Sequence, residues 1–325
     1  MDGTWRIASD MARMGMSTIT APDGSALSPL CFGAMQFGGN ADEMESRAMY
    51  DACRAAGVNF FDTAHAYTEG RSETLLGRFA ASERDALVIA TKAAYSGGAT
   101  PANIRTSLED SRSRLGMDVI DILYLHRWDG DTPLEASFET LAEARHAGTI
   151  RHVAVSNFAA WQVTKAQAVA ARFDIRIDMI QPMYNLVKRQ AEVELLPMAA
   201  SEDIAVAPYS PLGGGLLSGK YARGETGRLT TDDRYAKRYG PEWMHRAAAG
   251  LAEIAEETGH AAATLAVAWV SSHPAVTAPI VSARNAAQLA PSLAAMDFTL
   301  DPALKDRLSA LSPTPAPATD RLEEV

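Results

Sequence analysis

Gly33-Ala34-Met35-Gln36-Phe37-Gly38-Gly39 follows directly on the apolar run at residues 30–34, and its reading decides between two architectures built from alternating strands and helices. A doubly wound open sheet binds its nucleotide through a G-x-G-x-x-G turn after the first strand. The glycines at 33, 38 and 39 do not have that spacing. Moving outward, further short apolar runs lie at 59–61, 87–91, 120–125, 152–155, 179–180, 204–207 and 278–281, making eight with the first. Amphipathic helical patterns separate them, at 43–56, 72–81, 101–115, 133–147, 159–172, 192–201, 242–272 and 285–295. Thr100 reads as an N-cap with Pro101 at the first helical position, and Gly116 stops that helix. Eight strand–helix units without a dinucleotide fingerprint predict a closed (β/α)8 barrel.

Three segments fall outside the alternation. Residues 213–239 are rich in glycine and charge and too long for a plain connection, which predicts a lid or binding loop after the seventh strand. Residues 302–311 predict an extra helix, and 313–325, mixing proline with charge, predict a flexible tail. Met16 reads as a start, with 1–15 a tag or disordered extension, so that the barrel spans 16–312.

The 325 residues are 47% hydrophobic and 22% charged, enough to bury a large core. A formal net charge of −10 argues against nucleic acid or an anionic membrane surface as partner. No apolar run reaches membrane-spanning length. Cys31 and Cys53 suggest neither a disulfide framework nor a metal site, which fits a reducing, cytoplasmic location.

In a barrel the strand ends converge on one face, where chemistry is done. Asp62, Lys92 and His126 end the second, third and fourth runs, and Tyr67 lies in the loop Phe61-Asp62-Thr63-Ala64-His65-Ala66-Tyr67. Each alone reads as a cap, a solvated charge, a structural histidine or a loop aromatic. Together they suggest proton transfer to a carbonyl oxygen. A phenol has an ordinary pKa near ~10 and needs help to exchange protons at neutral pH. Lys92 would lower that pKa, Asp62 would hold Lys92 charged and in place, and His126 would donate a hydrogen bond to the same oxygen. No covalent nucleophile is evident, so the reaction needs a hydride from a cofactor. A metal-dependent hydrolase would want several His and carboxylate ligands at strand ends. Only His126 is so placed, with Lys92 repelling a cation, and no metal is expected.

With those residues in place, the chain resembles the aldo-keto reductase superfamily over residues 27–296. The resemblance rests on the Asp62–Tyr67 motif, Thr91-Lys92, Leu125-His126-Arg127-Trp128-Asp129, Val155-Ser156-Asn157-Phe158, Gln181-Pro182-Met183-Tyr184-Asn185, Tyr209-Ser210-Pro211-Leu212 and Ser218-Gly219-Lys220-Tyr221. The branch with this last motif includes bacterial reductases and potassium-channel β-subunits. The resemblance implies a catalytic tetrad of Asp62, Tyr67, Lys92 and His126, with NADPH extended across the barrel mouth. By position, Ser156, Asn157 and Gln181 would bond the nicotinamide carboxamide, and Tyr209 would stack on its ring. Ser210, Pro211, Leu212, Gly213 and Lys220 would follow the pyrophosphate, with Met35 and Asp62 also beside the cofactor. Ser282, Arg284 and Gln288 would surround the adenosine end, where Ser282 replaces a common glycine and Pro291 and Ser292 replace a common Glu-Asn pair. Arg284, ahead of a helix N-terminus, suits the 2′-phosphate and predicts NADPH over NADH.

The expected activity is reduction of an aldehyde or ketone, with Tyr67 as general acid. The same branch leaves open an NADPH-sensing regulatory subunit with little turnover. Met35, Tyr67, Tyr95, His126 and Trp128 would line the substrate mouth and suggest an apolar or aromatic carbonyl compound, with sugar aldehydes and a homo-oligomeric state left open.

Overall fold

The computed structural model describes residues 19–221, 225–321 and 323, so the expectation for 1–15 lies outside the described residues. Eight strands form one parallel sheet: β1 (Cys31–Gly33), β2 (Phe60–Asp62), β3 (Val88–Ala93), β4 (Ile120–Leu125), β5 (Ile150–Ser156), β6 (Met179–Gln181), β7 (Ala205–Val206) and β8 (Ile280–Val281). They run in the order β7-β6-β5-β4-β3-β2-β1-β8. The two outer strands then meet: Ile280 N donates to Pro208 O at 2.8 Å, Thr277 N to Val206 O at 2.8 Å, and Tyr209 bridges Ile280 in parallel. A sheet that returns on itself has no open edge, and the fold is a (β/α)8 barrel.

Strand alternation sorts the side chains into two cores. Phe32, Phe61, Ile89, Leu123, Val153, Ile180 and Val281 face outward and pack with the helices. Cys31, Phe60, Val88, Ala90, Ile122, Tyr124, Ala154, Met179 and Ala205 fill the interior, joined by Ile19 and Ala21 from a short hairpin closed by the Thr20–Ala26 bridge. Arg151 ties that hairpin to the starts of the strands by donating to Thr20 O at 2.9 Å and to Asp121 Oδ1 at 3.0 Å. One end of the barrel is therefore plugged with apolar side chains. Toward the other end the inward positions become Asp62, Lys92, Ser156 and Gln181, all buried.

The helices are α1 (Glu43–Ala55), α2 (Arg71–Ala80), α3 (Pro101–Leu115), α4 (Leu134–His146), α5 (Ala160–Ala170), α6 (Leu195–Ser201), α7 (Arg228–Thr231), α8 (Asp233–Arg238), α9 (Glu242–Thr258), α10 (Ala262–Ser271), α11 (Ala286–Leu293) and α12 (Pro302–Ser309). Thr100 caps α3 by accepting from Asn103 N, and Gly116 ends it at φ 65°. The single helical stretch expected at 242–272 is instead two helices, α9 and α10. Gly259 at φ 70° ends the first in the left-handed region, and His260 N turns back to Ala255 O at 3.0 Å. The connection from β7 to α9 contains a 3-10 segment at Gly213–Ser218 followed by α7 and α8, so it has more local order than a plain loop. Cys31 and Cys53 are buried and unpaired. No helix among the described residues is long and apolar enough to cross a membrane.

Candidate active site

Asp62 and Lys92 face each other at the open end of the barrel because both occupy inward positions on adjacent strands. β3 runs through Lys92 to Ala93, two residues further than the expected run, so the ammonium sits within the ladder rather than past it. Lys92 Nζ is bonded to Asp62 Oδ1 and donates to Thr63 O at 2.8 Å, and both residues are buried. Gln181 Nε2 donates to Asp62 Oδ2 at 2.9 Å. Burial, the largest influence on Lys92, pulls its pKa down, but Asp62 and Tyr67 together outweigh it and the ammonium stays charged. Burial pushes Asp62 up, with Lys92 and Gln181 pulling back. The two side chains are held in direct contact in a buried site.

Tyr67 comes in from the loop after β2, where its ring lies 5.0 Å from Lys92 Nζ and edge-on to His126, with centroids 5.7 Å apart at 82°. Lys92 acts on the phenol in the expected direction, downward. Burial outweighs it, so the pKa lies above the ordinary value rather than below it. The phenol in this state is a proton donor, not a phenolate. His126, one residue past β4, is buried and its pKa falls to about 3, through burial first and then the charges of Lys92 and Arg127. A neutral imidazole presents one N–H donor, and its buried Nδ1 has no partner.

Beside the tetrad lies a polar shelf. Tyr209 Oη donates to Asn157 Oδ1 at 2.7 Å, while Asn157 Nδ2 donates to His126 O at 2.9 Å and to Ser156 Oγ at 3.1 Å. Ser156 Oγ in turn donates to Gln181 O at 3.1 Å. Asn157 and Ser210 hold φ near 60°, unusual for residues with side chains and a sign that the surroundings fix them. Asn185 Nδ2 pins the second by donating to Ser210 O at 2.8 Å. Next come Pro211, buried, and Leu212, half-buried, followed by Gly213, Gly214 and Gly215 at φ 56°, 67° and 99°. A side chain at Gly214 would meet Tyr235, and one at Gly215 would meet Lys220, so these two glycines answer to close approach as well as to a turn.

Cations gather beyond the glycines. Burial lowers the pKa of Lys220, and the charges of Arg284 and then Arg228 lower it further. Arg284 makes no ion pair among the described residues. Its backbone N–H donates to Gln288 Oε1 at 3.4 Å, and Gln288 N donates to Asn285 Oδ1 at 2.9 Å, the N-cap of α11. Ser282 Oγ is buried without a partner. Converging like charges, an orphaned hydroxyl and an aromatic shelf fit a phosphate-bearing dinucleotide.

The profile of the Aldo/keto reductase family matches residues 29–312. The chain belongs to the aldo/keto reductase family. Among similar proteins is a probable voltage-gated potassium channel subunit beta of Oryza sativa subsp. japonica, 34% identical over 89% of this chain and 94% of its own length. The uncharacterized oxidoreductase YrpG of Bacillus subtilis is 33% identical, covering 91% of this chain and 95% of its own. Norsolorinic acid reductase stcV of Emericella nidulans is 32% identical, covering 88% and 79%.

In this aldo/keto reductase, Tyr67 and Tyr95 of the expected mouth residues both pack against His126. Tyr95 is exposed and leans on His126, with ring centroids 4.7 Å apart, and the Arg127 guanidinium carbon lies 5.2 Å from the Tyr95 ring centroid. Trp128 packs edge-on to Phe158 at 5.2 Å and Trp161 at 5.5 Å. Met35, two residues past β1, is half-buried. Sequence reading missed Arg228 and Trp161. Arg228 sits in the charge-rich connection without a motif around it, and Trp161 opens α5 as one exposed aromatic in a helical pattern.

Proposed function

We propose that this protein reduces an aldehyde or ketone to the alcohol with NADPH as cofactor, Tyr67 donating the proton. One observation carries the reading: the protonated Tyr67 phenol stands between the Lys92 ammonium and a neutral His126. The nicotinamide, when bound, supplies the hydride. The chain's own groups do the rest. The Tyr67 hydroxyl and an imidazole N–H of His126 are suited to bond the carbonyl oxygen, drawing charge toward it. As that oxygen gains negative charge, the phenol proton passes to it, and Lys92 stabilises the phenolate left behind. Asp62 keeps the ammonium from losing its own proton or turning away. Solvent restores the phenol proton. Ser156, Asn157 and Tyr209 offer the amide-binding and stacking surface for the nicotinamide, and Lys220 with Arg284 offers the phosphate contacts that favour NADPH.

Tyr95 beside His126 supports an apolar or aromatic carbonyl compound as substrate, and the two unpaired cysteines are compatible with the cytoplasm. The test is a panel of aldehydes and ketones, following loss of NADPH absorbance with the wild type and Tyr67→Phe. A second reading, a cofactor-sensing subunit, draws on the names of the rice relative and a similar Arabidopsis thaliana protein at 33% identity. Turnover of several panel compounds by the wild type, lost in Tyr67→Phe, would set that reading aside.

A further inference from the structure

The loop carrying Tyr67 is gripped by a closed circuit of hydrogen bonds that the proton-transfer reading does not use. Its centre is Glu73, in the first turn of α2 and fully buried. Glu73 Oε1 accepts from Thr91 Oγ1 at 2.6 Å, and Oε2 accepts from Arg114 Nη1 at 3.2 Å. The same Nη1 donates to His65 O at 3.0 Å, while His65 N donates to Lys92 O at 3.1 Å. Thr91 and Lys92 are consecutive in β3, so the circuit runs from the catalytic strand through the loop, the end of α3 and α2, and back. Asp110 Oδ2, 3.1 Å from His65 Nε2, steadies it from outside.

The backbone gives this circuit something to hold. Directly after Tyr67, Thr68, Glu69 and Gly70 take φ values of 45°, 58° and 87° in succession. Two of the three carry side chains in a conformation L-residues disfavour, which persists only where surrounding contacts over-determine it. Arg114 lies against the third: a Cβ on Gly70 would come 2.6 Å from its Nε. On the far side, Thr68 Oγ1 donates to Phe37 O at 2.9 Å and accepts from Ser72 N at 2.9 Å. A buried carboxylate is a poor way to gain stability, since apolar residues of similar volume often do better. What this one does is join three segments at the stem of Tyr67.

We propose that Glu73 and Arg114 are positioning residues that hold the Tyr67 phenol over Lys92 against the strain of its own loop. The inference rests on Tyr67 being the proton donor. The experiment compares the wild type with Arg114→Lys and with the double variant Glu73→Gln/Arg114→Met. The first keeps a cation against the buried carboxylate, and the second leaves no lone buried charge. Both variants should fold, as read by circular dichroism. In the double variant kcat should fall roughly 10- to 100-fold, as misplacement of a reacting group by about an ångström does. Its affinity for NADPH should stay at the wild-type value, its solvent isotope effect on kcat should rise, and Arg114→Lys should be intermediate. Wild-type kcat and isotope effect in either folded variant would overturn the proposal, as would equal loss of kcat and NADPH affinity. So would failure of both variants to fold, which would make the circuit a structural requirement instead. Tyr67→Phe is run alongside: if it keeps turnover the reaction reading fails, and if only the Arg114 variants match wild type the positioning inference fails alone.

Discussion

At the scale of single residues, the proposed chemistry rests on groups whose ordinary behaviour has been altered by burial. Tyr67 keeps its proton because desolvation exceeds the pull of Lys92. Tyr67→Phe should therefore lower kcat for carbonyl reduction by about 10²–10⁴-fold with NADPH binding retained. Stopped-flow turnover and fluorescence titration check the two halves, and a variant with most of its kcat would remove the phenol from the mechanism. His126 makes a statement about stability as well. Its pKa is about 3 in the folded protein, against an ordinary value near ~6.5 in the unfolded chain. Between those values the unfolded state binds the extra proton. The stabilisation linked to this site is thus complete above the unfolded value and is lost as pH falls toward the folded one. Urea midpoints measured from pH 7 to pH 4 should fall less steeply for His126→Asn than for the wild type. Parallel curves would mean that this histidine is not the titrating group.

At the scale of elements, the loop that carries Tyr67 depends on how closely two helices meet. Gly77 of α2 lies on the last residue of α3, and a Cβ there would come within 2.6 Å of Leu115 Cα. In an open helix, replacing glycine by alanine gains about 1 kcal/mol of propensity. Here the methyl group meets backbone, which cannot rotate away, and overpacking of this kind costs roughly 1–3 kcal/mol. Gly77→Ala should then be net destabilising, read as a lower urea midpoint. Because Arg114 precedes Leu115, the same displacement should also lower kcat. A more stable variant would show that α3 can yield without cost.

At the scale of the whole molecule, the proposed cofactor surface exists only because the barrel closes. Lys220 comes from the connection after β7, and Arg284 and Ser282 follow β8. The two short strands join through Pro208, Val206, Thr277 and Ile280. If Arg284 meets the 2′-phosphate, Arg284→Ala removes charge-assisted bonds worth roughly 1.5–3 kcal/mol, about tenfold to a hundredfold in affinity. Titration should show that loss for NADPH and little for NADH. Raising salt should weaken wild-type NADPH binding more than NADH binding, since exposed charges are screened. Equal effects on the two cofactors would sink the assignment.

The alternation of eight strands and helices and the helix stop at Gly116 were legible in the sequence, as was the set of strand-end residues proposed for the tetrad. Those features are local: short apolar runs, capping residues and strand-end positions are written in consecutive residues. The stretch 242–272 was misread as one helical pattern, because a single glycine at 259 interrupts an amphipathic run without changing its composition. Only the tertiary structure decided the sign of the Tyr67 shift, since desolvation depends on everything packed around the phenol rather than on Lys92 alone. It also decided that Trp128 packs with Phe158 and Trp161, and that the charges of Arg284 and Arg228 both bear on Lys220. Glu73 and Arg114 belong to the same class: 41 residues apart in the chain, they meet only because α2 and α3 pack through Gly77. Long-range contact sets these outcomes, and no local pattern encodes which distant side chain will arrive.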